Sequence, residues 1–455
     1  MVQSTTISPS FVSELCDEVL DRVRPTPEER ERLGKVASSL IARINHLALY
    51  KGISCVPTLV GSAARDTWLA GDHDLDIFLA MPANEDLGQA LELARQVAPE
   101  YEEKYAEHAY VHATLAGFDI DLVPCFQLES AASIKSAVDR TPFHNKYVIS
   151  RVKGLEDEVR ILKQFMKGLG VYGSELKVGG FSGYLTELLI LRFGSFLSLL
   201  EDTSAWRPRT IIDLEGHSKR IHQDPLIVID PVDPSRNVAA ALTLDKMMQF
   251  VAASRCFLKH PSLDFFFPPD QEPISDQELL ECIEQRASLI LLMEFSAPEV
   301  VDDVLFPQLR KAEAAIRALL EKQEFSVLRS DVGCYGSKSF ILIELDVWLL
   351  PNVKRNLGPP IWEEMHTSRF VLSHASPLSG PYIESGRAVV EIPRKYTRAR
   401  DLLDKGMTGL SLGKHIGKEI GQKYYIYVGA ELVQIKDNDF RIFLADYLKV
   451  KRKIC

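Results

Sequence analysis

In the stretch GDHDLDIFLAM (71–81), Asp74 and Asp76 stand two residues apart while Leu75, Ile77 and Leu79 take the alternate positions. That period reads as a strand, and it places the two carboxylates side by side on one face. Like charges that close repel, and burying either one costs several kcal/mol unless a cation offsets it. Two roles suit such a pair: the solvated face of an edge strand, or ligands for a hard divalent cation such as Mg2+. The segment FDIDLVP (118–124) repeats the pattern with Asp119 and Asp121. Either could bring a third carboxylate beside the first pair, and periodicity alone leaves that choice open.

A possible partner for the acids lies just upstream, in VGSAARDTWLAGD (60–72). A strand ending at Val60, a tight turn at Gly61 and a short helix from Ser62 would aim backbone N–H groups and a hydroxyl at an anion. Arg65, about one turn further on, can reach the same anion. A Gly-Ser pair is common in turns; followed ten or more residues later by Asp-x-Asp on a strand, it is far more specific. Carboxylates beside a phosphate cradle suit two-metal chemistry, in which ions roughly 4 Å apart align an attacking hydroxyl with a leaving pyrophosphate. The indicated reaction is transfer of a nucleotidyl group from an NTP to a hydroxyl.

The elements that must position these groups form an α/β unit. Residues 8–50 carry apolar residues at helical spacing, broken at Arg24-Pro25-Thr26-Pro27, and strands are expected at 54–62, 74–81 and 118–126. An acidic helix is expected over 85–106. From about residue 151 the pattern is helical, with helices at 154–170, 180–202 and 237–258 and a strand at 225–234. Past HPSLDFFFPPD (260–270), strands at 288–295 and 339–350 flank a helix at 306–323, a rhythm that suggests a ferredoxin-like or RNA-recognition-like fold. Three domains are therefore expected, 1–150, 151–258 and 259–455, in an α/β and α+β multidomain chain.

With 455 residues, 46% hydrophobic and 25% charged, the composition is that of a globular protein. A net charge of −10 argues against a uniformly basic coat but leaves room for a local basic groove. Seven scattered cysteines without a Cys-x-x-Cys motif point to reduced thiols rather than a disulfide framework or zinc site. No apolar run is long enough to span a bilayer and the start has no signal-peptide pattern, so no membrane association and no export are expected.

GSAARDTWLAGDHDLDIFL resembles the head signature of the nucleotidyltransferase superfamily. AEHAYVHATLAGFDIDLVPCF, IKSAVDRTPFHNKYV, VRILKQFMKGLGVYGSELKVGGFSGYLTELLI and VIDPVDPSRNVAAAL are similar to archaeal, class I CCA-adding enzymes, and looser similarity continues through VDDVLFPQL, EFSVLRS and PYIESGRAVVEIPRKYT. The resemblance implies a polymerase-β-like nucleotidyltransferase head (1–150), a helical neck that recognises the base (151–258) and an α+β tRNA-binding body and tail (259–455). It implies template-independent addition and repair of the tRNA 3′-terminal CCA from CTP and ATP with Mg2+, by a homodimer, and the reduced thiols make a cytoplasmic protein the simple expectation. It selects Asp74, Asp76 and Asp121 as catalytic metal ligands, leaving Asp119 aside. It places Gly61, Ser62 and Arg65 on the triphosphate, makes Thr141, His144, Lys163 and Tyr172 nucleotide contacts, and makes Arg236 the reader of the base edge.

Each of these residues also has a plainer reading. His144, two residues from Pro142, can satisfy a loop; Lys163 can face solvent on an amphipathic helix; Tyr172, after Gly170, can cap a core. Arg236, at what reads as a helix start, sits against the macrodipole, which favours anions there and so tilts the reading toward function. For tRNA, the expected grip is on the shape and phosphates of the acceptor arm, with candidate basic stretches at 206–210, 393–400 and 447–453. Two alternatives stand beside this reading. One is another template-independent enzyme, a poly(A) polymerase or an oligoadenylate-synthase-like enzyme. The other is a catalytically inactive RNA-binding module, against which the retention of all three aspartates weighs.

Overall fold

A computed structural model describes residues 9–449 except 99, 106 and 408, and its chain divides into two units between Pro269 and Asp270. The first unit opens with α1 (Pro9–Val23) and α2 (Pro27–Lys51). The break between them is local chemistry: Thr26 and Glu29 form a reciprocal capping box, and Pro27 occupies the first turn of α2, where its missing N–H costs nothing.

The expected strands appear as β1 (Val56–Val60), β2 (Asp74–Pro82) and β5 (Phe118–Gln127), with α3 (Gly61–Arg65) and α4 (Leu87–Val97) between them. The sequence reading missed β3 (Glu102–Tyr105) and β4 (Ala109–Leu115). The helix expected over 85–106 ends at Val97 because Ala98 precedes Pro99 and is forced to extended backbone, φ −102° and ψ 105°. Sheet order is β1-β2-β5-β4-β3, with β2 and β5 parallel and the other neighbours antiparallel. Leu75, Ile77, Leu79 and Met81 face one side, where they pack with Leu40 and Ile44 of α2 and Ala94 of α4. The alternate residues, Asp74 and Asp76 among them, are thereby committed to the side without these helices.

Next come α5 (Thr141–Ile149), α6 (Glu156–Gly168), α7 (Gly183–Phe193), α8 (Phe196–Thr203), β6 (Thr210–Asp213), β7 (Leu226–Ile229) and α9 (Leu244–Lys259). Their core is aromatic. Phe165 lies with its ring centroid 5.2 to 6.2 Å from those of Phe196, Phe250, Phe257, Phe265 and Phe266. Most of α7 is buried in this core, and among the described residues no single helix is long and apolar enough to cross a membrane.

The helix expected from 237 starts only at Leu244, capped by Thr243. Asn237 is the reason: its side chain accepts the Val228 and Ala239 N–H groups and donates to the Leu226 carbonyl, which competes with helix formation. Arg236 is therefore in a turn, and the macrodipole argument made for it does not apply.

The second unit contains α10 (Asp276–Arg286), β8 (Leu289–Ser296), α11 (Asp302–Lys322), β9 (Ser326–Tyr335), β10 (Lys338–Val347), β11 (Val353–Pro360), α12 (Glu364–Ser373), β12 (Ser379–Glu384), β13 (Arg387–Pro393), α13 (Ala399–Gly406), α14 (Lys414–Gln422), β14 (Tyr424–Val428) and α15 (Asn438–Lys449). Strands β14-β8-β10-β9 form an antiparallel sheet with α11 and α14 packed on one face, the ferredoxin-like arrangement the rhythm suggested. Leu279 of α10 and Phe440 and Leu444 of α15 fill the other face. The small sheet β11-β13-β12 was not foreseen. Cys16, Cys55, Cys125, Cys282 and Cys334 are free thiols.

Candidate active site

Parallel pairing of β2 with β5 sets Asp74 opposite Asp119 and Asp76 opposite Asp121, so all four acids share one face. Asp119 is exposed and accepts the Thr114 hydroxyl at 2.9 Å. Asp121 is half-buried and accepts His112 Nδ1–H at 2.7 Å. Burial, then the charges of Asp121 and Asp74, push the Asp76 carboxyl from 3.8 up to about 6. Asp74 is also raised, by burial and then by Asp72, Asp119 and Asp121. Among the described residues, no three His, Cys, Asp or Glu side chains are arranged to hold a metal ion as they stand. The face is a set of hard oxygen donors with surplus negative charge, which suits a divalent cation.

The Gly-Ser turn is built against this face. Val60 pairs with Asp76, so the next residue, Gly61, meets the Asp76 carboxylate at φ +75°. A Cβ at Gly61 would lie 2.3 Å from Asp76 Oδ2, which only glycine avoids. Ser62 is the second residue of α3, and its carbonyl accepts the Thr67 N–H at 3.0 Å.

Arg65 and Lys163 meet around Thr67 and around Glu187, an acid the sequence reading overlooked. Glu187 of α7 is fully buried and accepts Arg65 Nε–H at 3.0 Å and the Thr67 hydroxyl at 2.5 Å through one oxygen, Oε1. Its other oxygen, Oε2, is buried without a hydrogen-bond partner. Lys163 is buried rather than solvated and donates to the Thr67 carbonyl at 2.9 Å. Burial pushes its ammonium down to about 8, against the pull of Glu187. Tyr172 is partly buried, with burial raising its hydroxyl pKa, and Lys167 lies 5.7 Å from its ring centroid while pairing with Asp72 at 2.9 Å.

A third group forms around Asp230, also missed from sequence. This buried acid at the end of β7 receives His144 Nε2–H at 2.9 Å and Arg236 Nη1–H at 2.8 Å, both on Oδ2. Burial alone would raise the Asp230 pKa, but the bonds from His144, the Val232 N–H and Arg236 hold it below the ordinary carboxylate value. His144 is buried and stacked on Tyr184 at 4.0 Å; burial keeps its pKa low in spite of Asp230. Thr141 opens α5, one turn before His144 on the same helix.

The structure thus gathers the aspartates with Gly61 on the acidic face, Arg65 and Lys163 around Thr67 and Glu187, and His144 and Arg236 on Asp230, while Thr141 and Tyr172 stand outside these three groups. The missing acids did leave a trace in the sequence. Glu187 is the sole charge before Arg192 in GYLTELLILRF, and Asp230 ends the apolar run PLIVID; an acid in such company is rarely buried without a partner. Of the basic stretches, Arg207 and Arg209 are exposed, Arg394 pairs with Glu324 at 2.6 Å, and 450–453 lies outside the described residues.

Comparison with known proteins identifies the family. Residues 57–144 match the nucleotidyltransferase domain family, 157–267 the second domain of tRNA nucleotidyltransferase, and 286–429 the C-terminal domain of CCA-adding enzyme. The chain is 47% identical over 447 residues to the CCA-adding enzyme of Methanosarcina barkeri, covering 96% of this chain and 98% of that one. It is 45% identical over 440 residues to the CCA-adding enzyme of Methanosarcina acetivorans, covering 94% and 97%. The enzyme of the same name from Methanothermobacter thermautotrophicus is 40% identical over 445 residues, covering 94% and 97%. On this similarity over nearly the full length, the chain belongs to the CCA-adding enzyme family.

Proposed function

We propose that this protein adds and repairs the 3′-terminal CCA of tRNA without a template, taking CTP and ATP as substrates and Mg2+ as its ion. The observation that carries the reading is the register of β2 and β5, which puts Asp74, Asp76 and Asp121 on one face against the Gly61–Ser62 turn. In the reaction a bond forms between the tRNA 3′ oxygen and the α-phosphorus, the bond between α-phosphorus and bridging oxygen breaks, and pyrophosphate leaves. Bound to Asp74, Asp76 and Asp121, Mg2+ would supply charge neutralisation for the nucleophile and leaving group. Arg65 and Lys163 hold the triphosphate, with Glu187 keeping Arg65 in place, and Ser62 adds its hydroxyl and backbone N–H. Thr141, His144 and Tyr172 line the nucleotide, and Arg236 offers N–H donors to the base edge.

The test uses a tRNA lacking its CCA end, with labelled CTP and ATP and with Mg2+. The expected products are CC with CTP alone and CCA with both nucleotides. Asp76→Ala should abolish both products while leaving the protein folded. An ATP-only polymer would assign the chain to a poly(A)-type activity instead. The proposal extends to a cytoplasmic homodimer, whose sedimentation mass would be twice that of the 51.1 kDa chain.

A further inference from the structure

Two residues of the proposed nucleotide pocket donate to one atom. His144 Nε2 and Arg236 Nη1 both bond Asp230 Oδ2, at 2.9 and 2.8 Å. The other oxygen, Oδ1, accepts the Val232 N–H at 3.0 Å and faces the Tyr184 hydroxyl at 3.4 Å. The grip on Arg236 extends to its main chain, because the Asp230 N–H donates to the Arg236 carbonyl at 3.0 Å. Asp233 tightens the same turn, accepting the Arg236 N–H at 2.9 Å and pairing with Arg140 at 3.0 Å.

A guanidinium is planar, so holding one Nη together with the backbone restricts the directions of the remaining donors. The Asp230 carboxylate is completely buried, while the Arg236 side chain keeps 36% of its surface exposed. The buried end of the pair is thus enclosed and hydrogen-bonded, and the free end of the guanidinium is accessible.

We propose that Asp230 is a specificity-determining positioning residue, which sets the plane in which Arg236 presents its free N–H donors to the incoming base. This rests on the base-reading role proposed for Arg236. His144 shares the acid, so the orientation of the base reader is locked to that of a second nucleotide contact through a single oxygen. A pocket that must tell bases apart without a template gains discrimination from donors held in fixed directions, since a swivelling donor would accommodate a wrong base edge.

CTP and UTP share sugar and triphosphate and differ only at the base edge, so the ratio of their kcat/KM values on tRNA lacking CCA isolates base reading. The ratio is measured on one preparation and is independent of the fraction that folds, so a reduced yield of a variant leaves the result readable. Asp230→Asn, which keeps the shape and removes the charge, is expected to lower the CTP/UTP ratio about tenfold, as suits the loss of one charge-assisted bond. Arg236→Ala should lower it at least as far, and the double variant should match Arg236→Ala alone because Asp230 acts through Arg236. If Arg236→Ala lowers the ratio and Asp230→Asn leaves it unchanged, the positioning role is overturned while Arg236 keeps its own. An additive double variant overturns it as well. If Arg236→Ala leaves the ratio unchanged, the base-reading assignment fails and takes this inference with it.

Discussion

Asp76 sits where the demands of folding and function pull in opposite directions. Its carboxyl is raised from 3.8 to about 6, first by burial and then by Asp121 and Asp74. Between those two pH values the folded protein holds a proton that the unfolded chain has released, so metal-free stability should fall as pH rises through that window. Above about 6 the charge is present and its cost is at full size; a cation on the acidic face would cancel it. Mg2+ is therefore expected to raise the melting temperature at about pH 7.5 and to do little at about pH 5, where protons compete for the site. Asp76→Asn should raise the metal-free melting temperature at the higher pH and remove most of the Mg2+ effect. Calorimetry with and without Mg2+ checks both, and an Mg2+ shift of equal size at the two pH values would refute the electrostatic account. At this scale the sequence was legible in part. The strand period put Asp74 and Asp76 on one face, but it could not show that Thr114 occupies Asp119 and His112 occupies Asp121. Those are cross-strand partners, set by a pairing register the sequence does not state.

Among the elements, the turn from β1 into α3 carries the sharpest constraint. Gly61 combines a positive φ with the Asp76 carboxylate where a Cβ would stand, whereas Gly71 has φ +81° and open space around it. Alanine at either position meets the left-handed backbone penalty, roughly 1 kcal/mol. Only Gly61→Ala should also displace Asp76, and a shift near 1 Å would lower activity about 100-fold. Gly71→Ala is expected to melt a few degrees lower, as suits roughly 1 kcal/mol, and to keep its activity. Comparing melting curves and CCA addition for the two variants separates backbone strain from site geometry; equal activity losses would contradict the assignment. Helices and strands with a strong period were readable, α2 and β2 most clearly. Two of the errors came where a single side chain or imide overrode the pattern: Asn237 delays α9, and the proline after Ala98 ends α4.

For the whole molecule, the two units have separate cores. The aromatic cluster of the first ends with Phe267, and the clusters of the second begin at Ile274. A chain ending at Pro269 is therefore expected to unfold cooperatively and to retain Mg2+-dependent CTP binding, measured by calorimetry. A broad, non-cooperative melt would show that the first unit depends on the second. By itself, the sequence determined which residues alternate or recur at helical spacing, and hence which faces are apolar, that the Asp pairs stand on strand faces, and that the chain resembles one enzyme family. The tertiary structure alone decided who meets whom. That the carbonyl of Thr67 would hold Lys163, that Glu187 would hold Arg65, and that Asp230 would hold both His144 and Arg236, follows from packing between segments 96 and 122 residues apart in the first two cases and from one buried oxygen in the third. Periodicity is local and reports a residue's own face; a partner across the fold is chosen by burial, where an unpaired charge is too costly to keep.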